Sequence, residues 1–351
     1  MSNRKLIRIP SFNLGRQSPK NDITALENKH VTLPETLFTY DLNILDLEGW
    51  FLPILIMHIF KTFLVRFDYQ KVSPLALREF IIDVCDSYLE VPYHNLHHAT
   101  NILHITYILL EKCELFENLN VDILFATLIA ALTHDIGHPG NNNTFEINTF
   151  SELATKYNDL SILEQHHCST TFELIKKNSL NAIYTNEEFC IFRKTILRCI
   201  LGTDMTHHKS MTEYLQKKKL NGFDLSNIDE QIKLCEILVH SADIGNPIQS
   251  SEICEEWAEL VNQEFSNQSI KETELGLKPS FQDTNCKLSF YSNEMKYIIH
   301  ICKPYWSELV EIFPQLSNEF EMIDKNLDYY NRKYEECLSV DEKNQLSRYS
   351  L

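Results

Sequence analysis

From about residue 43 the chain alternates apolar and polar positions with helical spacing. Leu77, Phe80, Ile81, Val84, Cys85 and Tyr88 fall at i, i+3, i+4, i+7, i+8 and i+11, the stripe of one α-helical face. Val121 to Leu132 is apolar nearly all round and predicts a central, fully buried helix. Phe189–Ile200 and Ile232–Val239 repeat the helical period, and Leu288–Trp306 predicts a long helix with Pro304 near its end. Breakers separate these runs: Val91-Pro92, Gly137 with Pro139-Gly140, Asn221-Gly222, and Gly245-Asn246-Pro247. No run alternates with the strand period. The pattern predicts an all-α domain over residues 41–338, between a polar N-terminal arm (1–40) and a polar, frayed tail (339–351).

Composition narrows the class. Only 8 glycines in 351 residues argue against folds built on tight strand turns, and 44% apolar residues suffice for a core. The formal charge of −17 argues against nucleic acid as the main partner. Residues 1–29 run the other way, with Arg4, Lys5, Arg8, Arg16, Lys20 and Lys29 against Asp22 and Glu27. The longest apolar run, Trp50–Phe60, contains His58 and is too short to cross a bilayer. Ten cysteines at scattered spacings, with no Cys-x-x-Cys and no signal peptide, predict reduced thiols in a cytoplasmic protein rather than a disulfide framework.

The candidate chemistry lies in the histidines. They cluster at His94, His97 and His98; His134 and His138; His166 and His167; His207 and His208; and His240, with Asp135, Asp204 and Asp243 nearby. Imidazole nitrogens and carboxylate oxygens, without cysteine, suit a catalytic metal better than a structural zinc. His94 and His98 are four apart and would share a helix face, so both could bind one ion, or one could bind while the other does acid–base work. His134-Asp135 ends the buried helix, and Gly137 and Pro139 supply the bend that lets adjacent side chains reach one ion. His240 and Asp243 end a second apolar helix. Lys217–Lys219 reads as a solvated face and His207-His208 as exposed.

These segments together resemble the catalytic domain of class I cyclic nucleotide phosphodiesterases. The motifs stand in order as Tyr93-His94-Asn95-Leu96-His97-His98-Ala99, His134-Asp135-Ile136-Gly137-His138-Pro139-Gly140, Leu163-Glu164-Gln165-His166-His167, Thr203-Asp204-Met205 and Ala242-Asp243-Ile244-Gly245-Asn246-Pro247. The resemblance implies a fold of about sixteen helices and a two-metal pocket. It assigns His98, His134, Asp135 and Asp243 to Zn²⁺, and Asp135 also to a second ion, Mg²⁺ or Mn²⁺. His138, Glu164, Thr203 and Tyr93 would surround the metals and their waters. A hydroxide between the ions would attack phosphorus, and His94 would protonate the departing 3′-oxygen.

Two positions depart from the family pattern. Gly137 stands where most members carry an acidic residue. Glu294, ten residues before Pro304, stands where members carry the glutamine that holds the purine, with Tyr297 as the aromatic clamp. An ionised carboxylate only accepts hydrogen bonds, so it suits the N1–H and amino donors of guanine and faces N1 of adenine unfavourably. The expected substrate is therefore cGMP ahead of cAMP. Asn246, Ile244, Met205, Val261 and Phe265 match positions that line the base pocket. A catalytically silent cyclic-nucleotide-binding module and another His-Asp nucleotide phosphohydrolase are the competing readings; a metalloprotease lacks its His-Glu-x-x-His. No regulatory module is visible, as expected of the catalytic portion of a longer protein.

Overall fold

The structure is a computed structural model that describes residues 37–281 and 285–348. The expected arm lies almost wholly outside the described residues. Among the described residues fourteen α-helices follow one another: α1 (Leu52–Arg66), α2 (Pro74–Ser87), α3 (Leu96–Lys112), α4 (Val121–Thr133), α5 (Asn143–Asn148), α6 (Glu152–Tyr157) and α7 (Ile162–Lys177), then α8 (Asn186–Leu201), α9 (His208–Asn221), α10 (Ile228–Asp243), α11 (Ser251–Glu274), α12 (Lys287–Tyr297), α13 (Lys303–Ile312) and α14 (Ser317–Arg348). Short 3₁₀ and π turns join several of them, and no strand occurs among the described residues. The all-α expectation holds. Helix α14 continues to Arg348, across the boundary at 338 read from the sequence.

Helix α4 is the axis of the core. Leu124, Phe125, Leu128, Ile129 and Leu132 are fully buried, each burial contributing about 1.5–3 kcal/mol. The helix packs on α8, α3 and α10; His98 lies on the first turn of α3, and His240 and Asp243 lie on the last turn of α10. Asparagines open the helices that matter most for the site. Asn120 caps α4, Asn142 caps α5, and Asn95 caps α3 by accepting from the amides of His97 and His98. Each cap satisfies amide hydrogens that the first helical turn leaves unpaired.

The long helix expected over Leu288–Trp306 is divided. Helix α12 ends at Tyr297, a π turn spans Ile298–Cys302, and α13 begins at Lys303. Pro304 has no N–H to give to the preceding turn and its ring crowds the carbonyl there, so the wider turn relieves both faults.

The segment Gly49–Arg66 reaches the length and apolar composition of a membrane-crossing helix, and half of it is buried inside the domain. Leu52, Leu55, Ile56, Ile59, Phe60 and Phe63 of this segment are core residues. All ten cysteines are free thiols and six are buried.

Two minor expectations fail. Lys218 and Lys219 are half-buried and ion-paired, Lys218 with Glu230 and Lys219 with Glu308 and Glu311, because α9 packs across α13 and the start of α10. His208 is half-buried, bonds His240 at 3.0 Å and lies against the Tyr305 ring, while His207 is exposed as expected.

Candidate active site and metal centre

His98 lies on the first turn of α3, His134 and Asp135 follow the last residue of α4, and Asp243 is the last residue of α10. These three helix ends meet. His98 Nε2 and His134 Nε2 are 3.1 Å apart. Asp135 Oδ2 lies 3.3 and 3.1 Å from them, and Asp243 Oδ1 lies 3.2 and 3.3 Å from them. Four donor atoms thus form a set with edges near 3.2 Å, which suits ligands placed about 2.0–2.2 Å from one tetrahedral ion. Both imidazoles are fully buried. His134 Nδ1 donates to the Ala131 carbonyl at 3.0 Å, a bond that turns its Nε2 lone pair inward. Burial disfavours charge on Asp135, but His134 and His94 outweigh it and hold the carboxyl well below the usual range. The residues fit a divalent cation.

The loop that carries Asp135 needs its glycine. Gly137 has φ +76°, and an added Cβ would stand 3.0 Å from His166 Nε2. Gly245, two residues beyond Asp243, has the carbonyls of Ser241 and Ala242 where a Cβ would sit, at 2.7 and 2.9 Å.

His94 does not share a helix with His98. It precedes the Asn95 cap, in the turn after Pro92, because the cap forces extended backbone at Asn95. The two rings still lie 5.7 Å apart, edge to face. His94 Nδ1 forms a short contact with Glu264 Oε1, and Glu264 Oε2 accepts from the backbone amides of Tyr93 at 2.9 Å and His94 at 3.2 Å. Burial opposes charge on His94, but Asp135 and Glu264 outweigh it and raise the ring to about 9. Burial pushes the Glu264 carboxyl up, but His94 holds it down at about 2. Glu264 thus pins His94 at Nδ1 and favours its charged form, which leaves Nε2 free to donate.

His138 stacks on His94 at 3.9 Å, and its Nδ1 accepts from the Gly140 amide at 3.0 Å. Burial, reinforced by the charge on His94, keeps His138 neutral. On the other side, Glu164 of α7 accepts from Asn143 at 3.0 Å; burial first, then Asp204 and Asp135, raises its carboxyl to about 7. Thr203 is buried with its hydroxyl on the Ile200 carbonyl at 2.8 Å.

Three participants were given no role from the sequence. Glu264 sits 170 residues from His94, on a helix of many glutamates, and no local signal distinguishes it. His167 donates from Nδ1 to the Ile136 carbonyl at 2.8 Å and leaves Nε2 unpartnered, 3.6 Å from Asp135 Oδ1. Asp204 accepts from Ser161 at 2.7 Å and faces Glu164. The latter two lay inside quoted motifs without a role.

The remaining predicted residues lie on α11, α12 and the turns that follow α8 and α10. Asn246 donates to the Tyr93 hydroxyl at 3.0 Å, while its Oδ1 is buried without a partner. Tyr297 donates to the carbonyl of Ile244 at 3.0 Å, which ties α12 to the residue after Asp243. Glu294 is one turn before Tyr297 and half-buried. Val261 and Phe265 are half-buried on α11, and Phe265 stacks flat on Phe281 at 3.9 Å. One face of Phe265 is therefore engaged by protein rather than open as a base-lining surface. Met205 is exposed at the start of a 3₁₀ turn, not enclosed in a pocket.

A family model for 3′,5′-cyclic nucleotide phosphodiesterases matches residues 93–323. The chain belongs to that family. It is 34% identical over 286 residues to the high affinity cGMP-specific 3′,5′-cyclic phosphodiesterase 9A of Drosophila melanogaster, covering 79% of this chain and 18% of that protein. It is 28% identical over 332 residues to the Homo sapiens protein of the same name, covering 93% of this chain and 55% of that one. The chain thus spans about half, or less, of these relatives. Its fold matches the crystal structure of the phosphodiesterase domain of a RhoPDE fusion protein from the choanoflagellate Salpingoeca rosetta, with a TM-score of 0.82 and 32% identity over 91% of this chain and 99% of that one.

Proposed function

We propose that the chain hydrolyses a 3′,5′-cyclic nucleotide, cGMP in preference to cAMP, to the 5′-monophosphate. The observation that carries this reading is the convergence of four metal-donor atoms beside an imidazolium held by a buried carboxylate. Family membership and the cGMP specificity named for the Drosophila and human relatives support it. His98, His134, Asp135 and Asp243 would hold Zn²⁺, which accepts mixed nitrogen and oxygen donors. Asp135, with His138, Glu164 and Thr203 around it, would serve a second ion, Mg²⁺ or Mn²⁺, which prefers oxygen. Bound there, divalent ions neutralise the phosphodiester and supply an activated water.

His94 acts as the general acid. Its Nδ1 is committed to Glu264, so Nε2 is the atom that gives its proton to the 3′-oxygen as the P–O bond breaks. Glu264 positions the ring and keeps it charged. Tyr93 orients Asn246, and Tyr297, Glu294, Asn246 and Ile244 receive the purine. The test is hydrolysis of cGMP, cAMP and a deoxynucleoside triphosphate by metal-replete protein. Turnover of the cyclic nucleotides alone, with higher kcat/KM for cGMP, is expected. Binding without turnover would make the chain a sensor, and triphosphate cleavage would make it a different phosphohydrolase.

A further inference from the structure

Helix α11 buries three polar side chains at i, i+4 and i+8, Glu264, Gln268 and Glu272, each no more than 4% exposed. That spacing puts them in one row along one face. Polar groups are costly to bury unless each finds a partner. Glu264 meets the His94 ring and the amides of Tyr93 and His94. One turn on, Gln268 Oε1 accepts from the Asn142 amide at 2.9 Å, and Gln268 Nε2 donates to Asn142 Oδ1 at 3.2 Å and to Glu272 Oε1 at 2.9 Å. The row ends where Glu272 accepts from the amide and the hydroxyl of Ser280, both at 2.6 Å. The Asn142 cap on α5 does not need Gln268, since Asn142 Oδ1 already accepts from the Phe145 amide at 2.8 Å. What Gln268 adds is a two-point clamp between α11 and the loop from His138 to Asn143. Both ends of that loop touch the site. At its start His138 stacks on His94 at 3.9 Å. Gly140 follows so close to α11 that an added Cβ would stand 3.6 Å from the Glu264 carboxyl carbon. At its end Asn143 donates to Glu164 at 3.0 Å.

We propose that Gln268 is a positioning residue of the reaction: it locks the 138–143 loop to α11, so that His138 stays stacked on His94 and Asn143 stays on Glu164. This rests on the reading of the chain as a cyclic nucleotide phosphodiesterase with His94 as its acid. Glu264 and Gln268 stand one turn apart on one helix. The partner that orients the His94 ring and the clamp that holds the stacked His138 ring therefore move together. The clamp needs an acceptor for the Asn142 N–H and donors for Asn142 Oδ1 and Glu272, and an amide supplies both. A carboxylate at this position would keep the first bond and lose the other two. It would also face the Glu272 carboxylate at hydrogen-bond distance, and unmatched buried acceptors are costly.

The experiment compares wild type with Gln268→Glu, with Gln268→Met and with the exchange Gln268→Glu/Glu272→Gln. Gln268→Met removes the bonds without adding charge, and the exchange returns a donor to face the new carboxylate. Urea unfolding first establishes which variants fold; where Gln268→Glu does not, Gln268→Met carries the test. With saturating metal, kcat for cGMP should fall about tenfold or more in the folded single variants while KM changes little. The exchange should recover most of that loss. The low-field proton of the His94–Glu264 contact, identified in proton NMR by its absence from His94→Ala, should shift or broaden in the single variants, and it is read in metal-free protein as well. A purely structural amide would lower stability alone. Unchanged kcat in folded Gln268→Met, an exchange no better than Gln268→Glu, or a proton resonance that stays at its wild-type position overturns the proposal. Wild-type protein that turns over no cyclic nucleotide overturns the phosphodiesterase reading instead, and the proton resonance still decides the clamp.

Discussion

Glu264 on α11 and Glu294 on α12 are two carboxyls that carry opposite electrostatics. Glu264, at the metal end, is buried against an imidazolium and two backbone amides and stays a carboxylate down to about 2. Glu294 is half-buried, and burial alone raises its carboxyl to about 7. Burial acts on both in the same direction. The presence or absence of a cation decides the outcome. The cation beside Glu264 holds that carboxyl charged, and Glu294 has none beside it among the described residues.

The largest test of this contrast removes a metal ligand. Asp243→Ala should lose the tightly held ion, measured by elemental analysis of dialysed protein, with turnover falling to background. His94→Ala should keep that ion yet lower kcat by about 10²–10⁴-fold. Unchanged turnover in that variant would remove His94 from the mechanism. Glu264→Gln should cost less, roughly 10–100-fold, as outer partners of a catalytic group typically do. It should also move the basic limb of the pH profile. The acid form of His94 is the active one, and the Glu264 carboxylate favours it, so activity is lost as pH rises through the pKa of the ring. Without the Glu264 charge the ring's pKa falls, so activity should fail at lower pH. A basic limb that stays in place would mean that Glu264 is only a structural anchor for the Tyr93 and His94 amides. The smallest effect is expected at the Asp135 loop. Gly137→Ala places a side chain in left-handed backbone beside His166 and should cost about 1 kcal/mol. Urea unfolding would measure it, with metal content unchanged.

The site residues also differed in how far they could be read in advance. His134-Asp135 and Asp243 stand where apolar helices stop, and buried helix ends leave polar groups that need partners. The stop, the breaker and the ligand lie within a few residues of one another, so local spacing exposes them. Glu264 has no such signature. Its function comes from α11 crossing behind the Tyr93–Asn95 turn, a contact spanning 170 residues. His94 was named in advance, but it does not share a helix with His98, because the Asn95 cap starts the helix later. Counting back from Pro304 named Glu294 and Tyr297 as candidates for the base. The π turn between them and the proline, the Tyr297 bond to Ile244, the Phe265–Phe281 stack and the exposure of Met205 all depend on how α11 and α12 meet.

The chain's periodicity and breakers determined by themselves that it is all-α, where its central helix lies, and which short segments carry metal donors. Those properties depend on residues within one or two turns of each other. The tertiary structure alone decided which donors converge, which carboxyl gains a cation and which is left without one. Those outcomes depend on distance and desolvation between helices far apart in sequence, and an acidic side chain bears no local mark of either.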